Sequence, residues 1–120
     1  MPVDPPAADQ MLVAVSDTDA YVRIVGRGSF KIAPALQQFG RRIMDQGARR
    51  LTFDLAACVN LDSTIMGVIA GLASRLKQQG GDGVRVARCP PRIEQLLSTL
   101  GLDRVVQILP PDADALPAAE

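Results

Sequence analysis

The apolar pattern of this chain changes period within residues 51–79, and that change constrains its fold more than any other feature. Leu51-Thr52-Phe53-Asp54-Leu55 is short and rich in apolar and β-favouring residues, the pattern of a buried strand. Ile65, Ile69, Leu72, Ala73 and Leu76 then recur at three-and-four spacing, which marks one face of a helix over residues 63–79. The segment Asn60-Leu61-Asp62-Ser63-Thr64-Ile65-Met66-Gly67 spans the junction. Asp62, Ser63 and Thr64 fall where sheet turns into helix, beside first-turn N–H groups that have no partner within the helix. Such a place favours an anion. A hydroxyl there is either a helix cap or a modification site, and the residues alone leave both readings open.

The alternation continues on either side. Residues 11–15 and 21–25 read as strands flanking Ser16-Asp17-Thr18-Asp19, a polar tetrapeptide suited to a hairpin turn. Gly26-Arg27-Gly28-Ser29 reads as a tight turn leading into a first helix, which presents Leu36, Phe39, Ile43 and Met44 and ends at Gly47. Pro34 lies in its first turn, where proline is tolerated, and Arg41-Arg42 and Arg49-Arg50 solvate its ends. Gly80-Gly81-Asp82-Gly83 stops the second helix, and residues 84–87 form another strand. A third helix opens after Cys89 with Pro90-Pro91, buries Ile93, Leu96, Leu97 and Leu100, and ends at Gly101. Leu102 is placed for the apolar contact that accompanies a glycine stop, and residues 105–109 are a short strand or a short helix.

Strands separated by helices demand crossover connections, so most strands are parallel, with the opening hairpin adding one antiparallel pair. The expected architecture is a single α/β domain over residues 11–109, a mixed sheet of four or five strands with the helices packed on it. Residues 1–10 and 110–120, rich in Pro, Ala and Asp, read as flexible tails. Gly67, Ala70, Gly71 and Ser74 give the second helix a face of small residues that admits a close neighbour.

Composition removes several classes of function. Lys plus Arg and Asp plus Glu balance at 13 each and aromatics are 3%, so neither bulk positive charge nor stacking platforms support nucleic-acid binding. No apolar run approaches the roughly 18–20 residues that span a bilayer. The opening Met1-Pro2-Val3-Asp4-Pro5-Pro6 lacks the basic and apolar regions of a signal peptide, which makes the cytoplasm the expected compartment. Cys58 and Cys89 lack metal-ligand spacing and read as small buried hydrophobes. Without His there is no Ser-His or Cys-His dyad and no His-bound zinc. No catalytic residue, metal site or cofactor is therefore expected. A small enzyme using Asp54, Asp62 and Ser63 is the least favoured reading. Met66 suits either the core or a partner surface.

A strand closing on Asp54, the segment Asp62-Ser63-Thr64-Ile65-Met66-Gly67, a helix stopped by Gly80-Gly81, and the late run Leu100-Gly101-Leu102-Asp103 together resemble the STAS domain. That is the domain of bacterial anti-sigma factor antagonists, also found on sulfate transporters. The ordered series covers residues 11–109. The resemblance implies that Ser63 is the phosphorylated serine, with Thr64 the alternative acceptor. Asp62 matches the Asp before it, Gly67 the second glycine of the segment, and Asp54 the Asp closing the strand. Ile65 stands where the family has its first glycine. The family's Gly-x-x-Asp after the second strand is here Gly26-Arg27-Gly28-Ser29, so Ser29 replaces an Asp that helps recognise the kinase. Arg27 and Ser29 instead favour a nearby phosphate, which suits a divergent partner.

The resemblance thus implies a non-catalytic signalling protein. Its partner is an anti-sigma serine kinase, its binding is switched off at Ser63, and a phosphatase resets it. Arg27, Ser29, Asp54, Leu61, Asp62, Met66 and Gly67 are the expected partner-binding residues. The alternative keeps the fold but makes the chain a constitutive adaptor, for example of a transporter ATPase, with Ser63 only capping its helix.

Overall fold

The computed structural model describes residues 9–110. An opening antiparallel hairpin joins β1 (Gln10–Ser16) to β2 (Asp19–Gly28), with Ser16 opposite Asp19 as the polar tetrapeptide requires. Asp17 takes φ 59° at the turn, a left-handed conformation that short polar side chains tolerate. The chain continues through α1 (Ala33–Asp45), β3 (Arg50–Asp54), β4 (Cys58–Leu61), α2 (Ser63–Gln78), β5 (Gly83–Ala87) and α3 (Pro91–Thr99). A 3-10 turn (Leu102–Arg104) leads into β6 (Val106–Ile108), so the last segment is a strand. The sheet runs β1-β2-β3-β5-β6, with β4 pairing β2. Every pairing beyond the hairpin is parallel. The expected tails fall largely outside the described residues, and β1 begins at Gln10.

Strand alternation divides the sheet into two unlike faces. Ala20, Val22 and Ile24 of β2, Leu51 and Phe53 of β3, Val84 and Val86 of β5, and Val106 of β6 join one continuous core. The helices complete that core with Leu36 and Ile43 of α1, Ile65, Ile69, Leu72 and Leu76 of α2, and Ile93 and Leu97 of α3. Burying each large aliphatic side chain contributes about 1.5–3 kcal/mol, set against the entropy of ordering the chain. The other face carries Tyr21, Arg23, Thr52, Asp54, Arg85 and Gln107, aligned across β2, β3, β5 and β6.

The expected mixed sheet has five strands on one path, β1-β2-β3-β5-β6, and a sixth, β4, pairs β2 beside it. The added strand, β4, has buried ends and an exposed middle, without the alternation that marks a strand in sequence. Gly26-Arg27-Gly28 is not a tight turn: β2 runs through it, and the register slips between Gly26 and Arg27 where Gly26 takes φ +83°. This bulge carries β2 from its pairing with β3 to its pairing with β4.

Leu100 is 52% exposed rather than buried, because it ends α3, while Leu102 makes the half-buried apolar contact. Arg49 and Arg50 do not simply solvate a helix end. Arg50 opens β3 and pairs with Asp19 through two hydrogen bonds of 2.9 and 3.2 Å, and Arg49 donates to the Gly80 carbonyl at 2.7 Å. Cys58 is buried as expected, whereas Cys89 is half-buried.

Candidate functional site

β2 and β4 end side by side, with Gly28 opposite Leu61, and this pairing brings the loop before α1 against the start of α2. A Cβ on Gly28 would lie 2.5 Å from Leu61 Cδ2 and 3.5 Å from Ile65, so a side chain there would have to displace buried Leu61. The Asp62 N–H donates to the Gly28 carbonyl at 2.8 Å and extends the pairing by one residue. The Asp62 carboxylate then serves two elements at once. Oδ1 accepts the Ile65 N–H at 2.9 Å and caps α2, while Oδ2 accepts the Phe30 N–H at 2.8 Å and secures the loop. The cap of α2 is therefore Asp62 and not Ser63.

Ser63 is the first residue of α2 and is exposed, with no side-chain hydrogen bond to another described residue. Thr64 beside it is exposed too. Thr64 also lines a groove of about 350 Å³ between α1 and α2, together with Gln37, Arg41, Gly67, Gly71 and Arg75. At Gly67 and Gly71 an added Cβ would meet nothing within 4 Å, so the small-residue face opens onto the groove.

The remaining expected residues divide by accessibility. Arg27 is exposed, its backbone N–H donating to Asp9 Oδ1 at 3.0 Å. Ser29 is half-buried, and its Oγ accepts the Lys31 N–H at 3.2 Å in the turn before α1. Leu61 and Met66, by contrast, are core residues at 2% and 4% exposure, which settles Met66 in the interior. Neither presents its side chain on the surface of the free chain.

Asp54 is likewise buried, at 1% exposure, and belongs to the opposite face of the sheet. It accepts hydrogen bonds from Arg23 Nε at 2.9 Å, from the Ala56 N–H at 3.0 Å and from the Arg88 guanidinium. Burial alone would raise its pKa; the bonds from Arg88, Ala56 and Arg23 outweigh it and hold the carboxyl below its ordinary value. Asp54 thus ties the end of β3 to the middle of β2 and to Arg88 just beyond β5.

Two exposed apolar residues escaped the sequence reading. Phe30 is 63% exposed on the loop that Asp62 secures, and Val59 is 59% exposed on β4. In a chain with three Phe and no Trp, an aromatic directly after Gly26-Arg27-Gly28-Ser29 was the available signal. Among the described residues no three His, Cys, Asp or Glu gather as a metal site, and no helix is long and apolar enough to cross a membrane.

The fold has close counterparts. An anti-sigma factor antagonist from Mycobacterium paratuberculosis superposes with a TM-score of 0.73 at 24% identity, over 90% of this chain and 91% of that one. The Thermotoga maritima protein TM1081 superposes at 0.76 with 17% identity, over 92% and 89%. The Bacillus cell fate determinant SpoIIAA in its phosphorylated form superposes at 0.66 with 16% identity, over 86% and 92%. No curated protein matches by sequence. The STAS domain model matches residues 10–115, and with the strand order and the β4–α2 junction described above, the chain belongs to the STAS domain family.

Proposed function

We propose that this chain is a non-catalytic, cytoplasmic bacterial signalling protein of the anti-sigma factor antagonist kind, which binds a serine kinase and is released by phosphorylation of Ser63. One observation carries the reading: Asp62 supplies the cap of α2, which leaves the adjacent Ser63 hydroxyl exposed and without a structural task. Modification there costs the fold no capping bond. Both Asp62 oxygens are engaged by backbone N–H groups, the arrangement of a cap rather than of a general base.

A phosphate on Ser63 adds about −1.5 to −2 charges at a helix start, where the dipole and the first N–H groups tolerate an anion. What changes is the surface offered to a partner. Arg27, Ser29, Phe30, Thr64 and Gly67 surround the site as the contact residues, while Asp54, Leu61 and Met66 hold its frame from within. Burying an unmatched dianion costs several kcal/mol, and each ~1.4 kcal/mol is tenfold in affinity. The partner is thereby released, and a phosphatase restores binding.

The test is capture from native lysate with wild-type, Ser63→Ala and Ser63→Asp baits, identified by mass spectrometry. A kinase-like ATPase retained by wild type and Ser63→Ala but lost with Ser63→Asp supports the switch. The same protein retained equally by all three baits overturns it in favour of a constitutive adaptor.

A further inference from the structure

The two edges of the sheet are unlike. β6 is three residues long and offers little to pair with. β1 is seven residues long and, among the described residues, pairs only with β2. Its sequence, Gln10-Met11-Leu12-Val13-Ala14-Val15-Ser16, holds no charged residue and no proline, and its register with β2 runs without a bulge. It therefore lacks the lysine, proline or bulge with which sheet proteins blunt an open edge.

The two-residue loop closes on Ser16 and Asp19, so this pair exchanges both backbone hydrogen bonds. Alternation then turns the N–H and C=O groups of Met11, Val13 and Val15 away from β2, along the open edge. The side chains of these three residues share the core-facing side of the sheet with their partners Ile24, Val22 and Ala20. Those partners are fully buried and Met11 packs against the core, whereas Val13 and Val15 are 48% and 52% exposed. Leu12, on the other side of the sheet, is 49% exposed. Three of the seven large apolar side chains exposed among the described residues thus belong to this one strand, beside a row of outward backbone groups.

Apolar side chains by themselves fit many surfaces, but a row of backbone donors and acceptors fits another strand. β1 is its own complement. Antiparallel pairing around a two-fold axis presents the same uncharged segment from each side. With the axis at Leu12, Met11 opposes Val13 of the second copy, and the two Leu12 residues meet at the Cα spacing of about 4.5 Å of a non-hydrogen-bonded pair. An axis at Val13 would instead set Asp9 against Asp17 of the second copy, a destabilising pair of like charges.

We infer that β1 pairs antiparallel with β1 of a second copy of this chain, which joins the two sheets into one and covers Val13 and Val15. The pairing uses none of the residues around Ser63 and stands apart from the switch. One strand pair is smaller than the roughly 1,200–2,000 Å² of a stable interface, so the dimer is a weak one that dissociates on dilution.

Sedimentation velocity of the full chain from about 10 μM to about 1 mM should show a shift from monomer to dimer. Val13→Lys puts a charge on the open edge and should stay monomeric throughout, with the melting temperature of dilute wild type. Phe30→Ala, at another exposed apolar residue, should dimerise as wild type does. Backbone amide exchange gives a readout from wild type alone, independent of how any variant folds. The Met11, Val13 and Val15 N–H groups should exchange several-fold more slowly in the concentrated sample than in the dilute one. A chain that remains monomeric at the highest concentration overturns the inference. So does a dimer that survives Val13→Lys or is lost in Phe30→Ala, and so do β1 amides that exchange equally at both concentrations.

Discussion

The Asp62 carboxylate accepts the Phe30 backbone N–H at 2.8 Å across a separation of 32 residues. Its other oxygen closes the first turn of α2 on Ile65. One side chain thereby holds the loop before α1 against the start of α2, and the neighbouring Ser63 is left on the surface. In the proposed switch, the residue that shapes the site and the residue that changes its charge are different and adjacent.

Asp62→Ala should therefore cost stability where Ser63→Ala does not. Removing an N-cap costs about 1 kcal/mol, and the unpaired Phe30 N–H adds to this. Urea unfolding should show a loss of about 1–2 kcal/mol for Asp62→Ala and a change within about 0.5 kcal/mol for Ser63→Ala. The reverse ranking would make Ser63 the cap and remove the main support for the switch.

Gly67 and Gly28 should respond oppositely to alanine. Gly67 lies inside α2 with open space around its Cβ position, so Gly67→Ala should stabilise by about 0.5–1 kcal/mol through helix propensity. Gly28→Ala drives a methyl into buried Leu61 and should destabilise by about 1–3 kcal/mol. Thermal melts of the two variants check both signs.

Asp54 makes a prediction in pH. Its folded pKa lies below the ordinary value of 3.8, so its contribution is present above the unfolded pKa and is lost as pH falls through the folded one. Wild type should exceed Asp54→Asn by about 1–3 kcal/mol at neutral pH, the scale of buried hydrogen bonds to charged groups. That gap should begin to narrow below about pH 4 and close only once the pH lies below the folded pKa. A gap that persists in acid would mean that packing, not charge, holds Asp54.

Cys89 should be slow to alkylate. Burial, with lesser contributions from Glu94 and Cys58, pushes its thiol up to about 11. At pH 8 its thiolate fraction is then on the order of a hundredfold below that of a free cysteine, and iodoacetamide labelling should slow accordingly. Labelling at the rate of free cysteine would show the thiol to be solvated.

An exposed Phe30 beside the site should matter to binding and not to folding. Phe30→Ala is expected to leave stability within about 0.5 kcal/mol, since the side chain is 63% exposed. In the capture experiment it should weaken retention of the kinase, as loss of an aromatic anchor does. Retention equal to wild type would place the contact elsewhere.

Much of this protein was legible in its residues because the relevant signals are local. The period change from Phe53 to Ile65, the Ser16–Asp19 turn and the glycine stops each express a conformational preference within a few neighbours, and they determined the α/β alternation and the start of α2. Tertiary structure decided what depends on partners far along the chain. β4 has no alternation of its own and exists because Gly26 and Gly28 let β2 bend and receive it. Asp54 and Leu61 became interior residues through sheet register: the arginines that cover Asp54 come from positions 31 and 34 residues away. The Asp62 cap on Ile65 is local, but its second bond, to the Phe30 N–H 32 residues away, exists only once β2 and β4 are paired.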